Sequence, residues 1–198
     1  MKKTTKENIE DLGKLGYFKY SSPEDINDLK TELERCIREH KELHTIYSEE
    51  PEKEFIAKDF RYINCDHEEL IESHAEDTLE YLSFSFDKMN LPFSWKSIKK
   101  GFDEEKDLAY NKIQINGKSY ILYQTGWSQY AYDFVKIIND QLEILNSKER
   151  LYLLAGGNDG DLILLDNKLK EYFDEHIELR EAWKPRRPEI WIEKNKNE

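Results

Sequence analysis

The sequence predicts an α+β protein, with two N-terminal helices beside a mostly antiparallel sheet in ββαββα order. Three observations predict this class. Apolar residues recur at three- and four-residue steps in the first half. Asn116-Gly117 stands between two strand-like runs, the strongest short hairpin signal because a type I′ turn needs positive φ at both central positions. Two nearly continuous apolar runs, Leu151 to Ala155 and Leu162 to Leu165, flank a glycine-rich string. Hairpin, helix, hairpin, helix then implies an antiparallel sheet with helices on one face.

The first helix is expected from Ser21-Ser22-Pro23-Glu24-Asp25, where Ser22 is a natural N-cap and Pro23 suits the first helical position. Ile26, Leu29, Leu33, Cys36, Ile37, His40 and Leu43 form its apolar stripe, to an end near Tyr47. Phe55 to Tyr62 reads equally as a strand or a helical turn. A second helix is expected from Asp66 or Ser73 to Met89, with Leu70, Ile71, Ala75, Leu79, Leu82 and Phe86 inward. Asn90-Leu91-Pro92 stops it. Residues 92–109 read as a loop with one helical turn. Strands 112–115 and 118–123 precede a helix from Trp127 to Leu145. The second hairpin spans Arg150–Ala155 and Asp161–Leu165. Asp166 then caps a helix from Lys168 to His176, and the tail, Trp183 to Trp191, is expected to be extended and packed back by its two tryptophans.

The length of 198 residues suits a single domain. With 38 % hydrophobic and 13 % aromatic residues the chain has enough core formers to fold. No run approaches the ~18–20 apolar residues a membrane span needs, the basic start lacks an apolar signal region, and two isolated cysteines, Cys36 and Cys65, do not make a disulfide scaffold. The expected setting is the cytoplasm, with reduced thiols.

The formal net charge is −12, which argues against a general nucleic-acid-coating surface and in favour of a basic partner. That charge is uneven. Residues 1–109 carry −10, residues 110–198 only −2, and Glu24 to Asp87 holds 20 acidic against 7 basic residues. On a helix, Glu68, Glu72 and Glu76 share one face, with Glu69 and Asp77 beside them, and this acidic stripe is the candidate partner-binding site. Its plain alternative is a well-solvated helix face.

Other strings carry weaker chemical signals. Asp66, His67, Glu68 and His74 could serve as acid, base or metal ligands in an enzyme or metal protein. Cys36, His40 and His44 are spaced i, i+4, i+8, but a straight helix spreads the outer pair over about 12 Å, too far for one ion. The string Gly156-Gly157-Asn158-Asp159-Gly160-Asp161 lacks the Lys-Ser/Thr of a P-loop, and the twelfth position from Asp159 is Lys170 where a calcium loop needs Glu. It reads as a hairpin turn, with Asn158, Asp159 and Asp161 as a loop candidate for binding. Trp127, Tyr130 and Tyr132 line either a pocket or the core. Arg186-Arg187 is too small a basic patch to bind nucleic acid and is expected to pair with the acidic helices. No catalytic, cofactor-binding or metal signature is present among these motifs.

Taken together, the acidic charge, the size, the carboxylate-rich helical face and the ββαββα order, including the run Glu149 to Asp161, resemble the immunity proteins of bacterial toxin systems. The resemblance implies a non-enzymatic inhibitor that covers a basic toxin surface with its carboxylates. It carries over no individual functional residue. The alternatives are the enzyme or metal protein above, and a nucleic-acid mimic whose carboxylates imitate phosphates.

Overall fold

The computed structural model describes residues 3–49, 56–73, 75–155 and 160–195. The described elements, in chain order, are α1 (Thr5–Lys14), α2 (Ile26–Glu39), β1 (Tyr62–Asn64), α3 (His67–Glu72), α4 (Glu76–Lys88), β2 (Trp95–Asp103), β3 (Leu108–Ile115), β4 (Lys118–Tyr123), α5 (Trp127–Ile144), β5 (Arg150–Leu154), β6 (Asp161–Leu165), α6 (Asn167–His176), a 3-10 turn (Glu181–Trp183) and α7 (Pro188–Asn195). The protein is α+β. Its strands form two antiparallel three-stranded sheets, β1-β6-β5 and β2-β3-β4. No described helix is long and apolar enough to cross a membrane.

The sheet β1-β6-β5 is buried on both faces, which explains why β5 and β6 read as continuous apolar runs rather than alternating ones. One face, with Ile63, Leu151, Leu153, Leu162 and Leu164, packs with α4, α5 and the inner side of β3–β4. The other, with Tyr62, Tyr152, Leu154, Ile163 and Leu165, packs with α1, α2 and α6. Helices therefore cover both faces, where one was expected.

The Asn116-Gly117 hairpin forms as expected, with φ of 48° and 83° at the two residues. The Asn116 side-chain amide donates to the Gln141 Oε1 at 3.1 Å, tying this turn to α5. The helices α5 and α6 match their expected spans, and Asp166 accepts from the Leu169 N–H as the cap of α6.

Five expectations are corrected. Helix α1 was not foreseen, although Thr4 and Glu7 form a reciprocal capping box there. Helix α2 stops at Glu39, not Tyr47, with His40 as its C-cap and Lys41 left-handed at φ 61°. The expected second helix is two, broken by left-handed Ala75 at φ 65°. Residues 95–103 are a nine-residue strand, not loop, with a bulge between Ser97 and Lys99 that interrupts its alternation. The tail is helical at Pro188–Asn195, while Leu153 exchanges backbone hydrogen bonds with Arg186 at 3.0 and 2.9 Å. Both tail tryptophans, Trp183 and Trp191, pack back into the core as expected.

Candidate functional site

The acidic stripe lies on α3 and α4. Asp66 Oδ1 accepts from the Glu68 and Glu69 N–H groups at 2.8 and 3.2 Å and so starts α3. Leu70 turns inward, leaving Glu68, Glu69 and Glu72 exposed; on α4 Leu79 and Leu82 are buried and Asp77 and Glu80 exposed. Glu76 is half-buried and pairs with Lys100 at 3.0 Å. Asp66, Glu69 and Asp77 line a small cleft of about 80 Å³ together with Ser73 and Tyr81. Partial burial pushes the Tyr81 phenol up, and the nearby charges of Asp77, Glu69 and Glu80 push it further.

The acids of α1, α2 and the following segment are mostly neutralised by ion pairs. Glu10 meets Lys30 at 2.9 Å, Asp25 meets Lys58 at 3.1 Å, Glu32 meets Arg35 at 2.6 Å, Glu34 meets Arg38 at 3.3 Å and Glu42 meets Arg180 at 2.7 Å. By contrast, Glu69, Glu72, Asp77 and Glu80 have no ion pair among the described residues. Within Glu24–Asp87, α2 is thus largely compensated, whereas Glu69, Glu72, Asp77 and Glu80 on α3–α4 are not, among the described residues.

His67 is fully buried at the start of α3, apart from the exposed carboxylates. Its ring stacks on Trp127 at 6.0 Å and meets Trp191 edge-on at 5.3 Å. Neither ring nitrogen has a hydrogen-bond partner among the described residues. Burial lowers its pKa to about 4. A Cβ on Gly160 would lie 2.4 Å from His67 Nδ1, so only glycine fits where β6 begins. His74 lies outside the described residues. The pair Asp66–His67 is therefore split: one side chain caps a helix and the other is enclosed by tryptophans.

Cys36, His40 and His44 do not share a helix face, because α2 ends before His40. Cys36 is buried beside Glu32, His40 is exposed, and His44 packs against Trp183 at 4.7 Å and Glu42 Oε2 at 3.0 Å. Among the described residues no group of three or more His, Cys, Asp or Glu side chains is placed to hold a metal ion. In the glycine-rich string, Asn158 and Asp159 lie outside the described residues. Asp161 is the inward-facing first residue of β6 and accepts a hydrogen bond from the Tyr62 hydroxyl. Of the aromatics after Gly126, Tyr130 is fully buried and Trp127 covers His67, so both belong to the core. Arg186 pairs with Glu181 at 2.5 Å rather than with the acidic helices.

One broad concavity carries no signal in the sequence. A groove of about 1050 Å³ runs between α5, β5 and the starts of α6 and α7. Lys136, Lys148, Arg150, Lys168 and Arg187 line it, together with the acids Asp140, Glu143, Asp166 and Glu189. Its residues come from four separate stretches of chain, so no local motif marks it. No protein-family model, curated protein or solved structure shows a significant match to this chain.

Proposed function

We propose that the protein is a non-enzymatic, acidic protein-binding module that docks a basic protein surface through the α3–α4 face. The observation that supports this reading is the set of exposed carboxylates, Glu69, Glu72, Asp77 and Glu80, left without ion pairs among the described residues around the Tyr81 cleft. Uncompensated like charge costs stability through self-repulsion, and a basic partner relieves it. Glu68 and Glu76 border the face, although Glu76 is already held by Lys100. Complementary charge would speed association and select partners more than it would add affinity. An immunity protein neutralising a basic toxin is the specific form of this reading that the overall resemblance favours.

Capture from the source cell at low and high salt tests it, with Glu69→Lys/Glu72→Lys/Asp77→Lys as the comparison. The expected result is a basic protein retained at low salt, released at high salt and lost from the variant. The association rate should fall by about tenfold or more on charge reversal. A partner indifferent to salt and to the variant, or no protein partner at all, overturns the proposal.

A further inference from the structure

The second sheet carries a surface of the opposite character. The register of β2, β3 and β4 places side chains on its outward face in rungs. Lys96, Gln114 and Ser119 form one rung, Lys99, Lys112 and Ile121 the next, and Gly101, Tyr110 and Tyr123 the third. None of these residues is buried, whereas Ile113, Ile115 and Leu122 on the reverse face are fully so. In a chain of net −12, the segment Trp95–Tyr123 holds 6 basic and 4 acidic residues.

Two features of this face need a reason. Lys99 and Lys112 are direct cross-strand partners, an arrangement that destabilises a sheet unless an anion lies between them. Lys96, Lys99 and Lys112 have no ion pair among the described residues. In the next rung the end of the Tyr110 ring lies over Gly101, where an added Cβ would come within 2.9 Å of it. Tyr123 stands beside Tyr110 at 6.1 Å, its hydroxyl donating to Asp103 at 3.0 Å. Lys99 Nζ is 6.0 Å from the Tyr110 ring and Lys106 Nζ is 3.8 Å from the Tyr123 ring. Cations that follow a backbone, next to rings on which bases stack, are the two components of sequence-tolerant single-strand recognition. An acidic polypeptide would satisfy the lysines but leave the rings without a stacking partner. A duplex keeps its base faces within the stack, so it would meet the lysines but leave the rings without a stacking partner.

We propose that the outward face of β2–β4 binds single-stranded nucleic acid, with Lys96, Lys99 and Lys112 on phosphates and Tyr110 and Tyr123 stacked on bases. Charges beyond about 8–10 Å are screened at moderate salt, so the nearest acids set the repulsion: those of the β2–β3 turn at 103–107, and Glu76, which Lys100 already holds.

The test is fluorescence anisotropy of the full chain with a labelled oligothymidylate of about 10 nucleotides, within the usual site size of such platforms. The expected result is saturable binding with a log K against log salt slope of about −2, from three phosphate contacts. Lys96→Glu/Lys99→Glu/Lys112→Glu should weaken it by about tenfold or more. Tyr110→Ala should weaken it by about 5- to 100-fold and Tyr110→Phe should retain it, since stacking needs only the ring. Lys148→Glu/Lys168→Glu, in the groove beside α6, should bind like the parent. Circular dichroism melts of each variant confirm that it is folded. Absence of saturable binding, equal binding by the triple variant, loss in the groove variant, or equal displacement by a poly-glutamate peptide of matched charge would each overturn the proposal.

Discussion

Replacing Glu149 by Gln should cost this protein about 3–5 kcal/mol, because it strands a buried charge. Arg61 is fully buried. Its guanidinium donates to Glu149 Oε2 at 2.9 Å and to the carbonyls of Tyr17, Leu164 and Gly16 at 2.6, 2.8 and 3.1 Å. It lies 4.6 Å from the Tyr20 ring. This one side chain therefore links the segment after α1 to β6 and to the loop before β5. Glu149→Gln keeps the shape but leaves Arg61, and Lys19 at 2.7 Å, without their carboxylate. A cost near 4 kcal/mol is a large share of the ~5–15 kcal/mol holding a domain together, and should lower Tm by roughly 8–16 °C. Chemical denaturation of Glu149→Gln, Arg61→Met and the double variant Arg61→Met/Glu149→Gln measures it. The double variant should cost clearly less than the sum of the singles, since no buried charge is then left unpaired and only the exposed Lys19 loses its carboxylate. Burial raises the Glu149 carboxyl, but the charge and hydrogen bonds of Arg61 and Lys19 outweigh it and hold the pKa below the ordinary value. A depressed folded-state pKa means the unfolded chain takes the proton first. The pair's contribution is thus present above the ordinary carboxylate range and lost as pH falls through the folded value. A Glu149→Gln cost under about 1 kcal/mol, the size of a surface pair, would refute the reasoning.

Two further outcomes follow from the core. His67 has its pKa lowered from 6.5 to about 4 by burial, so the unfolded chain binds its proton first as pH falls. Between those values stability should drop by about 3 kcal/mol, and His67→Phe should flatten that slope in denaturation series at pH 7, 6 and 5 while being neutral or stabilising at pH 7. An unchanged slope in His67→Phe would locate the pH dependence elsewhere. Leu82, fully buried where α4 meets the larger core, should cost about 2–5 kcal/mol as Leu82→Ala, read from the shift of the denaturation midpoint at constant m-value.

The elements legible in the sequence are those whose signal is local. Asn116-Gly117 dictates its turn by backbone sterics alone, and Asp166 caps α6 from one residue away. The apolar runs of β5 and β6 announce strands buried on both faces before their neighbours are known. Strand β2 was hidden because a bulge shifts its alternation and its exposed side chains, Lys96, Lys99 and Lys100, carry no apolar period. The break at Ala75 was hidden because alanine is a strong helix former, and the positive φ there is imposed by packing: its side chain is fully buried.

The same division applies to the candidate faces. By itself the sequence determined the fold class, the net charge and the concentration of acid between Glu24 and Asp87, since counts and periodicity need no partner. Only the tertiary structure decided which acids remain available. Lys30 reaches Glu10, Lys58 reaches Asp25 and Arg180 reaches Glu42 across separations that no local pattern encodes. Within α2, Arg35 and Arg38 pair locally with Glu32 and Glu34, while folding brings no cation to Glu69, Glu72, Asp77 or Glu80 among the described residues, and pairing β2 with β3 sets Lys99 against Lys112. Charge is additive along a chain, but its compensation depends on distance in space, and distance is what the packing of two sheets and their helices sets.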